Sequence, residues 1–334
     1  MVLDVFITTY NRSRYLKDAI ESILNQTYTD FQLTILDNCS TDNTEDVVKV
    51  FNDSRIRYIK NEENLGAWGN VNKAFSLADK KYYIVNHDDD IMMPDYLEKA
   101  VGFMEENDDV SVLSLGIDNI DAEADYSQCI FEKRDCFKED VVSMYSGDEF
   151  FNMYVQQRQF IAFPTLIYRN SFMKANNIAI NPEAGPSADV LLMLEIERYG
   201  GTIAKNNEKY VLYRLHAEQW SQVARVEMMV KLFDFLHSHS YYSEKLKMCF
   251  YGRNKRFLEL LYPEVCIYLR DEISLKELNK NIIAYKNAIK VSKVVSFFAF
   301  FVVKICELFP SLLKLVYALL KSVKKGIKMF LCNQ

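Results

Sequence analysis

With 10 glycines and 6 prolines among 334 residues, the sequence excludes a collagen-like repeat and a linker-rich chain. It has no Gly-x-Gly-x-x-Gly and no Gly-x-x-x-x-Gly-Lys-[Ser/Thr], so a nicotinamide-type dinucleotide site and a P-loop nucleotidase are not expected. Seven cysteines, Cys39, Cys129, Cys136, Cys249, Cys266, Cys306 and Cys332, form no Cys-x-x-Cys pair. An odd, scattered set does not make a disulfide framework and points to a reducing compartment. The first residues lack the basic start, apolar stretch and small-residue cleavage site of a signal peptide, and a cytoplasmic location is expected. The net charge of −6 does not suit a surface built to neutralise a phosphate backbone, so no nucleic-acid partner is expected.

What is present is apolar and aromatic: 49% of residues are hydrophobic, with 21 tyrosines and 22 phenylalanines, enough to bury a sizeable core. The length suits one large α/β unit with something appended, or two domains. Charge is divided along the chain. From Lys286 onward there are nine lysines against Glu307 alone, a local charge of +8, which leaves −6 − 8 = −14 for the rest. An acidic body with a basic, apolar tail is a two-part construction.

In the body, short apolar runs at 4–9, 32–37, 56–60 and 82–86 alternate with helix-period stretches at 14–26, 43–52, 67–78 and 95–106, the pattern of βαβ units and a mostly parallel sheet. Strands are also expected at 110–115 and 162–168, and a helix at 188–199 closed by Gly200-Gly201. Ligands of such sheets collect at the carboxyl ends of the strands. The residues there are Thr8 to Asn11, Asp37-Asn38, Asn61 to Asn64, and His87-Asp88-Asp89-Asp90. Three adjoining carboxylates at the end of an apolar strand repel one another unless a cation or many donors neutralise them. Mg²⁺ or Mn²⁺ does this with oxygen ligands and often shares them with a substrate phosphate. A solvated acidic turn is the bland alternative.

Three segments together, Phe6 to Arg12, Ser22 to Tyr28 and Asp37 to Thr44, followed by Asn64-Leu65-Gly66 and Asp88 to Pro94, resemble the opening of family 2 glycosyltransferases. The resemblance is strong over about the first 105 residues and looser to about residue 221. It implies a GT-A fold, Rossmann-like, with a mostly parallel sheet flanked by helices. It also implies inverting transfer of a sugar from a nucleotide diphosphate, UDP favoured, to a hydroxyl. On this resemblance Thr9 and Asn11 line the nucleotide pocket, Asp37 accepts a hydrogen bond from the base, Asp88 lies near the ribose, and Asp89 binds the metal, Mn²⁺ or Mg²⁺. Relatives often write the acidic motif as Asp-Ser-Asp-Asp, which leaves open which of His87, Asp88 and Asp90 assists Asp89. They also often carry Arg-Asn where this chain has Gly69-Asn70.

For the base that deprotonates the acceptor, Asp189 at the start of the helix before Gly200 is the candidate, with Glu183 in reserve and Glu195 and Glu197 further along. An acid that merely favours the helix dipole is the alternative. Tyr213-Arg214-Leu215-His216, with Ser221 after it, resembles the Tyr-Arg-x-His segment of the family, in which the histidine reaches metal or diphosphate and the arginine neutralises phosphate charge. The ten uncharged residues at 294–303 are half of what a transmembrane helix needs. Lys286, Lys290, Lys293 and Lys304 share one helical face, as do Lys314, Lys321, Lys325 and Lys328 after Pro310. Two lysine-striped helices of this kind suit the headgroup layer of an anionic leaflet; packing on a partner or second subunit is the alternative.

The expected organisation is a nucleotide-sugar half at 1–105, an acceptor half at 106–221, a helical extension at 222–285 and a membrane-associating tail at 286–334. The expected activity is that of a metal-dependent, hexosyltransferase-type enzyme, peripheral on the inner face of the cell membrane. Its acceptor is a glycan, lipid-linked, in cell-surface polysaccharide assembly. A transferase for a protein or soluble acceptor, whose tail makes a homo-oligomer, is one alternative. A catalytically silent scaffold in a polysaccharide-assembly complex is the other, and the intact Asp88, Asp89 and Asp189 argue against it.

Overall fold

The computed structural model describes residues 1–129, 131, 142–156, 161–216, 225–248, 257, 260–261, 264–270, 272–291, 293–308, 310 and 313–314. Ser221, residues 157–160 and the lysines at 321, 324, 325 and 328 lie outside them. The chain divides into two compact units, residues 1–151 with 159–223, and residues 152–158 with 224–334.

The first unit opens with β1 (Leu3–Thr9), α1 (Ser13–Leu24), β2 (Phe31–Asp37), α2 (Thr44–Lys49), β3 (Ile56–Lys60), α3 (Gly66–Leu77) and β4 (Tyr82–His87). These strands pair in parallel in the order β3-β2-β1-β4, as the alternating pattern predicts. Strands buried on both faces read as nearly unbroken apolar runs, and Leu3, Val5 and Ile7 of β1 pack with Leu16, Ile20 and Ile23 of α1 in the main core. Each such side chain contributes about 1.5–3 kcal/mol.

Beyond β4 come β5 (Ile91–Met92), α4 (Tyr96–Glu106), β6 (Val110–Asp121), β7 (Val142–Tyr145), α5 (Glu149–Gln156), β8 (Leu166–Arg169), α6 (Asn170–Ala175), α7 (Ala188–Arg198) and β9 (Thr202–Leu215). The sheet continues past β4 as β8-β6-β9-β5, with β7 also on β9. Here antiparallel pairs appear, at β4 with β8, β6 with β8, and β9 with β5 and β7.

Two expectations shift. The strand expected at 162–168 begins only at Leu166, because Phe163–Thr165 forms a 3₁₀ turn around Pro164, which has no N–H to give a ladder. Strand β9, with Lys205-Asn206-Asn207-Glu208-Lys209 at its middle, is not evident in the sequence, since polar residues interrupt its alternation. It pairs with β6 through register shifts, and at one of them Gly116 approaches so closely that a Cβ there would lie 2.5 Å from the Asn207 carbonyl oxygen.

The second unit contains helices α8 (Arg225–Ser238), α9 (Ser240–Met248), α10 (Leu275–Ile289) and α11 (Lys293–Leu308). Ser274 caps α10, its hydroxyl accepting from the Glu277 N–H at 3.2 Å. Lys290 closes the helix in the left-handed region, at φ 55°. This corrects the expectation for the tail. Aligning Lys286, Lys290, Lys293 and Lys304 takes one continuous helix, and the backbone instead turns between α10 and α11. Among the described residues no helix is long and apolar enough to cross a membrane.

Candidate active site

The strand ends converge by register. Thr9 is paired with Asp37 across β1 and β2, and Thr8 with His87 across β1 and β4, so three of the polar segments meet at one edge of the parallel sheet. Asn11 adopts φ 52°, a conformation Asn tolerates. Its N–H donates to Ser40 Oγ at 2.9 Å, and its side-chain oxygen accepts from the Thr41 N–H at 2.8 Å. The loops after β1 and β2 are thereby locked together. Asp37 is fully buried, with one oxygen accepting from the Ser40 N–H at 2.8 Å and the other from the Tyr58 hydroxyl at 2.5 Å. Thr9 is buried beside it.

The acidic loop is held from beneath by α1. Ser22 and Gln26, one turn apart, act as polar pins: the Met92 N–H donates to Ser22 Oγ at 3.1 Å, and Gln26 bridges the Met93 carbonyl at 2.7 Å and the Leu97 N–H at 2.9 Å. This is the physical role of the segment from Ser22 to Tyr28. It fixes β5, which directly follows the acidic triplet.

Asp88, Asp89 and Asp90 are all at least 96% buried by surface area, the last one completely. They are not left bare. Arg12 donates to Asp89 at 2.7 Å and lies 3.3 Å from Asp88. His216 Nε2 lies 2.9 Å from Asp89, and His87 Nδ1 lies 3.3 Å from Asp90. Burial pushes Asp88 up to about 6, and the neighbouring Asp89 carboxylate adds to the rise. Burial also raises Asp90. Asp89 goes the other way: burial opposes its ionisation, yet the His216 bond and the charges of His87, Arg12 and His216 hold it below the ordinary carboxylate range. His87 is raised against its own burial by the Asp90 bond and the carboxylates around it. Asp89 is therefore the member of the triplet that its neighbours most favour in the charged form. Ligand atoms of His87, Asp89 and Asp90 lie within 4.8 Å of one another, a donor set that fits a divalent cation.

His216 and Arg214 reach this place because β9 runs antiparallel to β5, pairing Ile91 with Leu212 and Met92 with Val211. The Arg214 guanidinium is 99% buried and is turned into the protein. It donates to the backbone carbonyls of Asp89 at 2.9 Å and Ala122 at 3.1 Å, to that of Ala124, and to Asp18 at 3.1 Å, while its own N–H donates to Asp90 at 3.1 Å. Arg12, by contrast, has a side chain 31% exposed beside Asp88 and Asp89. The sequence alone assigns Arg12 no role. Its position in the first loop, three residues beyond Thr9, is the available signal.

Asp189 lies in the first turn of α7, and burial pushes its carboxyl up to about 6, with the charge of His87 pulling downward. The approach to α7 is tied to α3: Trp68 Nε1 donates to the Gly185 carbonyl at 2.9 Å, and Asn72 exchanges two hydrogen bonds with Ile180. Gly185 has φ 59° and ψ −134°, a conformation that suits glycine. Phe163 stacks on His87 at 5.7 Å and meets Trp68 edge-on at 6.0 Å. Trp68, which holds Gly185, and Phe163, which stacks on His87, link the segment before Asp189 to the acidic cluster. Glu183 is exposed, and Glu197 accepts from the Phe150 and Phe151 N–H groups at 2.6 and 3.0 Å, a helix-capping task.

A family model described as glycosyl transferase family 2 matches residues 4–174, just over half of the chain. The chain belongs to that family. Over 106 residues this glycosyltransferase is 33% identical to the Escherichia coli UDP-Glc:alpha-D-GlcNAc-diphosphoundecaprenol beta-1,3-glucosyltransferase WfgD, covering 32% of this chain and 42% of the relative. It spans about two fifths of the length of most curated relatives it matches. Among solved structures, S. aureus TarS 1-349 in complex with UDP-GlcNAc superposes with a TM-score of 0.61 at 19% identity, covering 86% of this chain and 82% of that one. A Pyrobaculum calidifontis mannosyltransferase in complex with GDP-Man and Mn²⁺ gives a TM-score of 0.58 at 13% identity, covering 96% and 87%. These likenesses show the shared fold, with its mostly parallel sheet and helical C-terminal region.

Proposed function

We propose that this family 2 glycosyltransferase moves a sugar from a nucleoside diphosphate donor, UDP favoured, onto a hydroxyl of a lipid-linked glycan during cell-surface polysaccharide assembly, with inversion at the anomeric carbon. The observation that carries this proposal is the cluster of half-buried His87 with buried Asp89 and Asp90 at the carboxyl ends of the parallel strands. The donor and acceptor classes are supported by the UDP-GlcNAc complex of TarS and by the diphosphoundecaprenol named for WfgD.

In this mechanism Thr9, Asn11 and Asp37 form the nucleotide side of the cleft, with Asp88 toward the ribose. Asp89 is the principal ligand for Mn²⁺ or Mg²⁺, with His87, Asp90 and His216 as the further donors within reach. When bound, the ion supplies Lewis-acid stabilisation of the departing diphosphate. Arg12 is the cation best placed to share its partners between carboxylates and phosphate, and Arg214 holds the Asp89-Asp90 backbone still. Asp189 accepts the acceptor proton as its oxygen attacks the anomeric carbon from the face opposite the diphosphate. The C–O bond to the diphosphate breaks in the same displacement, which inverts the centre, as a carboxylate-activated water does in inverting glycoside hydrolysis. The division into a donor half to about residue 105 and an acceptor half to about residue 221 belongs to this proposal, as does peripheral attachment to the inner membrane face through residues 286–334.

The test is a titration of UDP with and without Mn²⁺, followed by a screen of nucleotide sugars for transfer. Metal-dependent UDP binding that disappears in Asp89→Ala supports the enzyme, and UDP binding indifferent to both metal and Asp89 overturns the metal assignment.

A further inference from the structure

Helix α11 is apolar on two opposite faces. Ala299, Val303 and Cys306 are buried on one, where the Tyr268 hydroxyl donates to the Cys306 carbonyl at 3.2 Å. On the other, Phe297, Phe300, Phe301 and Leu308 are 71, 59, 54 and 67% exposed. At 100° per residue these four fall within an arc of about 100° that has Lys304 near its centre. Singly exposed apolar residues need no explanation, but three phenylalanines on one helical face form a surface that water solvates poorly. The left-handed turn at Lys290 sets the end of α10 beside this face, and a groove of about 510 Å³ runs there, lined by Lys286, Lys290, Ser296, Phe297 and Phe300 among others.

We infer that this face and groove form a lipid-docking site: the phenylalanines enter the headgroup–acyl boundary of an anionic leaflet, and Lys286 and Lys290 meet its phosphates. The inference rests on the peripheral membrane attachment proposed above and says which residues would carry it. Charge complementarity selects the occupant. Beyond Glu307 the sequence has five more lysines and no acid, which suits a negatively charged surface. Lys304 decides against a second copy of the chain. Its Nζ pairs with Glu307 at 2.5 Å and lies 5.9 Å from the Phe300 ring centre, and its side chain is 46% exposed. At a leaflet such a lysine extends its ammonium to the headgroups while its methylenes stay among the rings. At the centre of a helix–helix seam the Lys304–Glu307 pair would be withdrawn from water beside its own symmetry mate, a desolvation cost that the attraction within the pair does not repay.

The full chain is mixed with vesicles of phosphatidylcholine alone, or with roughly 30 mol% phosphatidylglycerol added, and floated. Wild type should float with the anionic vesicles and far less with the neutral ones. The triple variant F297S/F300S/F301S should lower binding by about tenfold or more although every lysine remains. K286E/K290E should lower it similarly and flatten its salt dependence. Nucleotide-sugar hydrolysis by both variants should stay at the wild-type level, which reports an intact fold. Tryptophan placed by F300W should be quenched by bromine on the upper acyl carbons.

Wild type that floats with neither vesicle removes the membrane attachment and this site with it. Wild type and triple variant floating equally well removes the site alone and leaves the attachment. A triple variant that changes solution mass from dimer to monomer while flotation persists assigns the face to a second copy and overturns the inference. An F300W tryptophan that escapes quenching overturns it as well.

Discussion

Two regions of this glycosyltransferase concentrate charge of one sign, and they treat it in opposite ways. At the mouth of the parallel sheet three consecutive carboxylates are withdrawn from water and answered from within, by Arg12, His216, His87 and the backbone N–H of Arg214. Around α10 and α11, Lys276, Lys280, Lys290 and Lys304 stay at the surface, Lys304 in an exposed pair with Glu307, and no acid follows Glu307 in the sequence. The difference separates a site from a surface. Buried like charges cannot persist without specific partners, so each partner there is fixed in distance and direction. Exposed like charges need none, and they act through their summed field, which salt screens within about 10 Å.

The sharpest way to break this contrast is to remove one internal charge from the mouth. Asp189→Asn should lower transfer by about 10³-fold or more while donor binding is retained. Near-normal turnover in a coupled release assay removes Asp189 as the base. With the wild type, the rate should fall as the pH drops below about 6, where the Asp189 carboxyl takes up its proton; a rate that stays flat through that range has another base behind it. Asp89→Ala comes next: the metal-dependent part of UDP binding, read by calorimetry, should be lost.

The two arginines sharpen the comparison further. Arg214→Ala strips several buried acceptors and the Asp18 carboxylate of their donor, and it should cost about 3–5 kcal/mol of stability in a denaturant titration. Arg12→Ala removes a partly exposed cation from two buried carboxylates, of which Asp89 keeps His216, and should cost less than Arg214→Ala while donor affinity falls. Equal destabilisation by the two would erase the distinction between strut and site cation.

A pH-dependent contribution to stability belongs to Glu197. Burial pushes it up to about 7 from an ordinary 4.5, against the Phe150 and Phe151 N–H groups that favour its charge. A folded-state pKa above the unfolded one means that its stabilising contribution is complete below about pH 4.5 and is lost as the pH rises to about 7. Glu197→Gln should flatten the slope of Tm against pH across that window, and an unchanged slope would assign the titration to another group.

The same contrast explains what the sequence disclosed. Strands β1, β2 and β4 are legible because burial on both faces writes them as apolar runs, and Thr9, Asp37 and Asp88 to Asp90 stand at their ends. Strand β9 is not, because Lys205 and Asn206 sit buried in its middle and break the alternation by which strands are recognised. That His216 meets Asp89 follows from β9 pairing with β5, a long-range register that local pattern does not encode. By residue type Arg214 looks like a phosphate ligand, and only the direction of its guanidinium, into the carbonyls of residues 89, 122 and 124, makes it a strut. In the tail, the helical period is visible but the left-handed closure at Lys290 is not, since lysine carries no signal for that conformation.

His216 joins Asp89 from 127 residues further along the chain. As ribosomal synthesis proceeds from the N-terminus, the early βαβ segment can assemble while this histidine has not yet been made. A nascent chain stalled before β9 would own the acidic triplet and lack both the imidazole that answers Asp89 and the guanidinium that steadies its backbone. Strand β9, the last strand among the described residues, therefore completes the cluster, and a chain ending before it would lack both His216 and Arg214.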